Sequence, residues 1–563
     1  MIDRASHETS VRGNSGALVS DSTGGLNRRS DRVLLEGHAL STRVDRARLT
    51  TDDRVRSSRP SHARSTLGVI DIGSNTARFV VFEVSSAGTV RAIYETKDVP
   101  RLGLDPGPNG RLAPATIARG VTTTRRFARL VRTLAVPKTL AVATSAVRDA
   151  PNGPEFVRDV ERATGMLLRI LTGAEEARYA YLGVAGAWEL ENDLVLDLGG
   201  GSLQLAEVRA GRLQNSVSLP LGALRLSQRF FAHDPPKRRE WDELRTHVRG
   251  TLTSVVEAFG GSPARLLGIG GTIRSLARAT IELREWPVRR VHGYTLYDHD
   301  LKALAELLGE MPAAKRRAIP GIGGDRADVV LGGIVVLEEI LRAEKMDRIV
   351  VSSTGIREGI ALEAVGAKLP VPAEQLAERS TTAAAESFAF ETDHGRAVAE
   401  TALALFESLG PRLGGGRSES LALRVAAWMH DAGTAIDLWN HAHHSAYLIQ
   451  NYPIWGLDQR EVLLASMATY LHEGDDPPSQ WKKAYLPIIR PVDLELAMRL
   501  GAILEVAEIV TPVRPRFSLV GQGRTLAVSF SAPSDTTLPP RWAEKVRKPM
   551  ERIFGLEVRL PHA

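Results

Sequence analysis

The chain of 563 residues contains no cysteine, which excludes disulfide bonds and thiol catalysis. Aromatic residues make up only 5% of the sequence, yet 43% of the residues are hydrophobic, enough to build cores for the three or four domains expected at this length. No apolar run approaches the roughly 18 residues that a membrane-spanning helix needs. The composition therefore predicts a soluble globular protein without membrane spans.

Residues 1–66 lack aromatic side chains altogether and are rich in Arg, Ser, Thr, Gly and Asp. Such a segment cannot bury enough apolar surface to offset its conformational entropy, so we expect a disordered tail. It also lacks the apolar core of a secretory signal peptide, and the expected location is the cytoplasm. Its 12 arginines against eight acidic residues account for +4 of the net charge of +6. Because only +2 remains for the other residues, the bulk charge does not decide for or against a polyanionic partner. We expect no nucleic-acid partner.

Two segments repeat one pattern, an apolar strand that ends in Asp, a tight turn of Gly and Ser, and a second apolar strand. They read LGVIDIGSNTARFVVFEV at 67–84 and LVLDLGGGSLQLAEV at 194–208. Backbone N–H groups and small side chains at such turns can surround an anion. A third glycine turn, within 266–279, stands where a helix should begin. A single turn is typical of a hairpin, but three predict a phosphate cleft. The candidate phosphate-binding residues are Gly73, Ser74, Asn75, Gly199, Gly200, Gly201, Ser202, Gly270, Gly271 and Thr272.

The repeated pattern resembles the actin-like, sugar kinase and heat-shock ATPase superfamily, whose two lobes bind phosphates from both sides. Within it, a run of ordered motifs resembles the exopolyphosphatase and guanosine pentaphosphate phosphohydrolase (Ppx/GppA) family. The resemblance covers roughly residues 67–365 and continues more weakly to about 515. The motifs are DIGSN at 71–75, TSAVRDA at 144–150, LTGAEEARYAYLG at 171–183, DLGGGS at 197–202, SLPLGALRL at 218–226, GIGGT at 268–272 and STGIREG at 353–359.

The resemblance implies an α/β fold of two actin-like (ribonuclease H-like) lobes, followed by an all-α HD-like domain and a small C-terminal α/β segment. The apolar patterns agree, because short β-branched runs alternate with helical periods until the chain turns rich in Ala and Leu. They predict a helix at 116–134, strands at 140–144 and 525–531, and an amphipathic helix at 542–554. The predicted divisions are the tail 1–66, the lobes 67–190 and 191–370, the HD-like domain 371–515 and the last segment 516–563.

Hydrolysis of a phosphoanhydride requires charge neutralisation, a divalent cation and a group that activates water. Asp71 and Asp197 end their strands at the two turns, where carboxylate oxygens suit Mg²⁺ or Mn²⁺, although each could only cap its turn. The family resemblance implies that Glu176 activates the water and that Arg148 contacts phosphate. Two adjacent carboxylates, Glu175 and Glu176, are expected to raise a pKa toward the range of a base.

One position departs from the family pattern. The family commonly reads DIGGGSTEL, with an acid two residues after the serine, whereas this chain reads DLGGGSLQL and carries Gln204 there. An amide oxygen can still coordinate a hard cation, so Gln204 stays a candidate metal ligand beside Asp71 and Asp197. Because the amide adds no charge, we expect a different metal affinity or selectivity and weaker catalysis.

The helical region carries a second set of candidate metal ligands. Their order resembles the HD-type metal phosphohydrolases, in which a His, an adjacent His-Asp pair and a distal acid converge on a metal, and imidazole with carboxylate suits a transition metal. The final acid is Glu rather than the usual Asp, and the alternative is a degenerate, non-catalytic module with core histidines. His441 and His443 receive no role. The candidate ligands are His394, His430, Asp431, His444, His472 and Glu508.

The sequence therefore predicts a metal-dependent exopolyphosphatase that releases terminal phosphate from inorganic polyphosphate, with Mg²⁺ or Mn²⁺ in the cleft and a candidate second metal in the HD-like domain. Family resemblance also implies a homodimer. The alternatives are a guanosine pentaphosphate 5′-phosphohydrolase, a non-hydrolytic polyphosphate or nucleotide sensor, which Gln204 favours, and a sugar-kinase-like transferase. A purine pocket would favour the nucleotide, and a long basic track would favour polyphosphate. Arg125, Arg126, Arg289 and Arg290 are candidates for that track, or merely solvated surface residues.

Overall fold

A computed structural model of the chain describes residues 65–104, 107–409, 415–474, 476–513, 516–520, 527–531, 540–555 and 557–559. The predicted tail lies outside these residues, except that Ser65 and Thr66 begin the first strand. Within the described ranges, every helix is too short or too polar to cross a lipid bilayer.

The first sheet has the strand order β3-β2-β1-β4-β5. Its first three strands are antiparallel neighbours, and β4 and β5 continue parallel to β1. The apolar centres of β1 and β2 are buried, because helices cover the sheet. The strands are β1 (Ser65–Ile72), β2 (Ala77–Val84), β3 (Val90–Asp98), β4 (Lys138–Ala143) and β5 (Leu168–Ile170). The helices in this part of the chain are α1 (Pro114–Thr133), α2 (Ser145–Arg148), α3 (Gly153–Thr164) and α4 (Gly173–Ala185).

The second sheet has the order β10-β11-β9-β6-β7-β8 and repeats the plan of the first. In both sheets a central strand pairs antiparallel with the next strand and parallel with a later one. The strands are β6 (Asp193–Leu198), β7 (Leu203–Arg209), β8 (Arg212–Leu219), β9 (Arg265–Ile269), β10 (Thr295–Tyr297) and β11 (Arg348–Val351). The helices are α5 (Ala223–Phe230), α6 (Arg238–Ala258), α7 (Gly271–Leu283), α8 (Asp298–Gly309), α9 (Ala313–Arg316), α10 (Val330–Glu344) and α11 (Ile356–Ala364).

Two helices each pack against the sheet of the other half of the molecule. The sequence placed α4 in the first lobe, but it packs against β7 and β8 of the second sheet, while α11 of the second half packs against β1. The helices α4 and α11 also pack on each other. Gly183 and Gly359 allow this close approach, since a Cβ at either position would lie 2.0 Å from a backbone oxygen of the other helix region. The two halves are therefore joined by helix packing as well as by the chain.

A helical region follows, with one apolar core to which most of its helices contribute. Its helices are α12 (Ala373–Phe388), α13 (Thr392–Leu409), α14 (Arg417–Met429), α15 (His441–Asn451), α16 (Gln459–Leu471), α17 (Trp481–Ala484) and α18 (Pro491–Val510). The small last segment contains β12 (Arg516–Val520), β13 (Ala527–Ser531), α19 (Pro540–Phe554) and β14 (Glu557–Arg559), and its three strands form one sheet. The predicted fold class is confirmed.

Candidate active site

The two predicted phosphate turns have the same local geometry. The backbone N–H of Gly73 donates to the carbonyl of Thr76 at 3.0 Å, and that of Gly199 donates to the carbonyl of Ser202, also at 3.0 Å. Each turn joins the central strand of its sheet to the next antiparallel strand. The repeat read from the sequence is therefore a structural repeat.

The residues beside the turns are in register as well. Asp71 of β1 lies opposite Arg78 of β2, and Asp197 of β6 lies opposite Gln204 of β7. An acid thus occupies the same position in both sheets. Its cross-strand neighbour is a cation in the first sheet and a neutral amide in the second.

The third turn closes the site from the strand β9. Gly270 has a φ of 96°, a conformation that favours glycine, and a Cβ there would lie 2.5 Å from the carbonyl oxygen of Leu198. The helix α7 begins at the next residue, Gly271, so its free N–H groups and positive dipole end lie at the site. This arrangement favours an anion.

The three turns enclose a cavity of about 100 Å³. Most of the residues predicted for the site line it, and both halves of the molecule contribute. The predicted residues in its wall are Asp71, Gly73, Ser74, Asn75, Glu176, Asp197, Gly199, Ser202, Gln204, Gly270 and Gly271.

Gly200 and Gly201 line a neighbouring cavity instead, of about 600 Å³, which shares Ser74 with the first. A Cβ on Gly201 would lie 2.4 Å from the hydroxyl oxygens of both Ser74 and Ser145, which are themselves 2.9 Å apart. Glycine is therefore required where the two turns meet.

Glu176 is 3% exposed and lies in the first turn of α4. Arg148 donates a hydrogen bond to its Oε1. The amide nitrogen of Gln204 lies 3.0 Å from its Oε2, and also within reach of the hydroxyls of Ser202 at 2.7 Å and Ser218 at 3.1 Å. Gln204 therefore presents a donor to the carboxylate, where an acid would repel it.

The two adjacent glutamates differ in environment. Glu175 forms a capping box with Thr172, and the hydrogen bond from the Thr172 backbone lowers the pKa of Glu175. Burial raises the pKa of Glu176 to about 8, and the carboxylates of Asp197 and Asp71 add to the rise against an opposing ion pair. The expected rise is found at Glu176, and its largest causes are burial and these two carboxylates, among which the adjacent Glu175 does not appear.

Four cavity arginines were not singled out from the sequence. Burial, together with the neighbouring guanidinium groups of Arg357 and Arg78, lowers the pKa of Arg274 to about 10. Burial also lowers the pKa of Arg326 to about 10, and its Nη1 lies 3.4 Å from the Thr272 hydroxyl. Thr272 is fully buried, so it supports this arginine and does not face the cavity. Crowded cations of this kind favour a bound polyanion. The four are Arg78, Arg274, Arg326 and Arg357.

The arginines suggested for a basic track lie elsewhere. Arg126 bonds to Thr96, Arg289 pairs with Glu282, and Arg290 donates to backbone carbonyls of the helical region. Arg125 lines a separate cavity beside α1 and α3. The quoted motifs held a better signal, since three cavity arginines stand inside or shortly after DIGSN, GIGGT and STGIREG.

The donor set of the cavity fits a hard divalent cation. Burial raises the pKa of Asp197 to about 6; Arg274 partly offsets this, and Asp71 adds to the rise. The Oδ1 atom of Asn75 is buried without a hydrogen-bond donor. Carboxylate and amide oxygens are the ligands that Mg²⁺ and Mn²⁺ prefer, and such an ion would relieve both features.

The second predicted ligand set also converges, with one correction. Asp431 Oδ2 lies 3.7 Å from Nε2 of His394 and 3.4 Å from Nε2 of His430, and His472 Nε2 lies 3.6 Å from Glu508 Oε2. From α15, however, His441 makes the contact with Asp431, at 3.5 Å. His444, the predicted ligand, lies one turn further along α15, and its Cβ faces Gly433. The rotation of α15 about its axis therefore makes His441, and not His444, the candidate ligand beside Asp431.

Residues 80–368 match the Ppx/GppA phosphatase family, and residues 376–536 match domain III of Ppx/GppA phosphatases. Exopolyphosphatase 1 of Mycobacterium tuberculosis is 32% identical over 300 residues, which cover 53% of this chain and 87% of that protein. The guanosine-5′-triphosphate,3′-diphosphate pyrophosphatase of Aeromonas hydrophila is 26% identical over 498 residues, or 86% and 94% of the two chains. The crystal structure of an exopolyphosphatase from Cytophaga hutchinsonii is similar with a TM-score of 0.51 and 25% identity, over 54% of this chain and 99% of that one. With the repeated sheets, the phosphate turns and these matches, the chain belongs to the Ppx/GppA phosphatase family and is a phosphoanhydride hydrolase.

Proposed function

We propose that this protein is a metal-dependent exopolyphosphatase that removes the terminal phosphate of inorganic polyphosphate. The main support is that the cavity continues into a second one of about 370 Å³, which shares its four arginines. Lys97 and Arg278 add to that lining, against three acidic residues, and only two apolar side chains contribute. A linear polyanion is the ligand that such a surface attracts. The acidic residues are Glu95, Asp325 and Glu358.

The cavity residues divide the reaction between them. The N–H groups of Gly73 and Gly199 bond within their turns, so the terminal phosphate is held by other backbone N–H groups of the two turns and by those at the start of α7. Glu176 takes a proton from the attacking water, whose oxygen bonds to the terminal phosphorus as the bridging P–O bond breaks. The shortened chain leaves with the bridging oxygen, and the cavity arginines stabilise its charge. Arg148 orients Glu176 through its hydrogen bond. It does not itself line the cavity, so its predicted contact with phosphate stays a prediction.

Asp71, Asp197 and the oxygens near them would hold the divalent cation, with Mg²⁺ or Mn²⁺ as the proposed ion. When bound, the cation supplies charge neutralisation on the phosphoryl oxygens. Gln204 contributes differently from the acid that the family commonly carries, because its amide nitrogen faces Glu176. It therefore supports the base and leaves the cation with one carboxylate fewer.

The nucleotide activity is the second candidate, and one observation favours it. The cavity on the other side of Ser74 is less polar than the cationic extension, since Leu102, Leu112 and Leu224 contribute to its wall together with Arg229. Apolar side chains beside a cation could accept a guanine base. The pyrophosphatase relative from Aeromonas hydrophila is named for a guanosine nucleotide, which is consistent with this candidate.

The test is phosphate release by the full chain from long-chain polyphosphate and, in parallel, from guanosine pentaphosphate, each with Mg²⁺, Mn²⁺ or chelator. We expect metal-dependent release, mainly from polyphosphate. A preference for the nucleotide would assign the second candidate instead. Binding of polyphosphate without release would make the protein a sensor and contradict the proposal. The homodimer, the cytoplasmic location and the absence of nucleic-acid partners remain predictions.

A further inference from the structure

Three histidines of the helical region share one hydrogen-bonding arrangement. In each, Nδ1 lies close to the backbone carbonyl oxygen three residues earlier. A carbonyl oxygen only accepts, so Nδ1 carries the proton and donates it, and in the neutral ring Nε2 keeps a free lone pair. The pairs are His430 with Ala427 at 2.8 Å, His441 with Leu438 at 3.0 Å and His472 with Thr469 at 2.5 Å.

The Nε2 atoms of all three rings are buried and have no hydrogen-bond partner. His430 and His472 are almost completely buried, with 0% and 1% exposure. The rings pack edge to face, with centroids 5.5 Å apart for His430 and His472 and 5.6 Å apart for His441 and His472. Buried lone pairs without a donor are costly, and ligation of a cation would satisfy all three of these atoms.

The two carboxylate oxygens of Asp431 face different histidines. Its Oδ2 faces His394 and His430, whereas its Oδ1 faces His441 on the other side. The ligand atoms of His394, His430 and Asp431 all lie within 4.8 Å of one another. Two ligands that are each about 2.1 Å from a metal ion lie about 3.0–3.4 Å apart in octahedral or tetrahedral geometry. The spacing around Asp431, 3.4–3.7 Å, needs only a small contraction to reach this range.

We propose that this cluster is a transition-metal centre, separate from the cation site of the cleft. His394, His430 and Asp431 bind one ion, and His441, His472 and Glu508 bind a second through the other oxygen of Asp431. Imidazole-rich sites favour ions such as Mn²⁺, Fe²⁺, Co²⁺ or Zn²⁺ over Mg²⁺. The hydrogen bonds at Nδ1 fix each ring in the orientation that ligation requires. Since none of these residues lines the cleft, the centre does not depend on the function proposed there.

The centre is open on one side. The side chains of His394, Asp431 and Glu508 are 40%, 38% and 38% exposed, whereas His430 and His472 close the opposite side. A metal held here would keep coordination positions for water or for an oxyanion such as phosphate. Open positions of this kind distinguish reactive metal sites from purely structural ones.

Metal content tests the proposal directly. The full chain is stripped with chelator, loaded with Co²⁺, Mn²⁺ or Zn²⁺, freed of excess metal by gel filtration and analysed by mass spectrometry. The visible absorption of Co²⁺ reports imidazole ligation. The cleft variant Asp71→Asn is measured in parallel, because the proposed centre must retain its metal there. Asp431→Asn and His394→Ala change half-exposed side chains, and each should weaken binding by at least about tenfold.

Two variants on α15 provide a matched comparison. His441→Ala should remove one equivalent of metal, whereas His444→Ala should retain the wild-type content, and circular dichroism checks that both are folded. Two equivalents in the wild type, reduced as described, support both ions. If the wild type retains one equivalent of metal and His441→Ala retains the same amount, the second ion is overturned. No retained metal, or full retention in Asp431→Asn, overturns the centre.

Discussion

Replacing Glu176 by Gln tests the proposed base with little structural disturbance. The side chains have the same shape, and the amide oxygen can still accept the hydrogen bond from Gln204. Arg148 keeps its contacts with the Leu171 carbonyl and with Asp149. The amide cannot take up a proton, and a positioned general base contributes about 10²–10⁴-fold to a rate. We therefore expect kcat to fall by about that factor, or about 3–5 kcal/mol of barrier.

The assay is single-turnover phosphate release from long-chain polyphosphate at saturating Mg²⁺ or Mn²⁺, with polyphosphate binding measured separately. Binding should remain close to that of the wild type, because the phosphate turns are unchanged. Glu175→Gln is the matched control, since Gln also serves in a capping box and this variant should keep both activity and stability. Wild-type turnover in Glu176→Gln, or an equal loss in Glu175→Gln, would refute the assignment of Glu176 as the base.

Three further predictions concern the surroundings of the base. Gln204→Glu places a carboxylate about 3 Å from that of Glu176, and when both are ionised they repel by about 5 kcal/mol at an effective dielectric constant of 20. Scanning fluorimetry should show lower stability in chelator, recovered with Mn²⁺, and tighter metal binding than in the wild type. Gly201→Ala should lower the free energy of unfolding by about 1–3 kcal/mol through its clash with two serines, whereas Gly250→Ala in α6, which meets no neighbour, should raise it by about 0.5–1 kcal/mol. Arg278→Gln should raise the KM for long polyphosphate more than Arg229→Gln does, because Arg278 lines the cationic extension and Arg229 lines the other cavity. Equal effects would contradict the binding of polyphosphate along the extension.

Local elements could be predicted where the sequence carries a local signal. The helix expected at 116–134 is α1, Pro114–Thr133, and the strand expected at 140–144 is β4, Lys138–Ala143. Apolar spacing and the residues that follow determine such ends. The exchange of α4 and α11 between the sheets has no such signal. It depends on Gly183 and Gly359, which meet only in the folded chain.

The candidate site shows the same division. Asp71, Asp197 and Glu176 could be placed in one cavity because two turns repeat and a family resemblance links them to Glu176. Three cavity arginines stand inside or shortly after quoted motifs, but the burial and convergence that set them apart from the other basic residues are not local properties of the sequence. The choice between His441 and His444 likewise depends on the phase of α15 against Asp431. The spacing of the histidines along the chain does not describe that phase.

The register of the two central hairpins gives the cleft a direction. Both sheets place an acid beside the turn, but its neighbour across the strand is Arg78 in one and Gln204 in the other. A symmetric scaffold therefore carries an asymmetric charge, with the buried carboxylates at one end and the arginines leading away from them. A polymer of identical phosphates has no sequence to mark its end. Under the proposed function, its end would be recognised by position, because a chain that enters along the arginines reaches the carboxylates of Asp71, Asp197 and Glu176 only with its terminal phosphate.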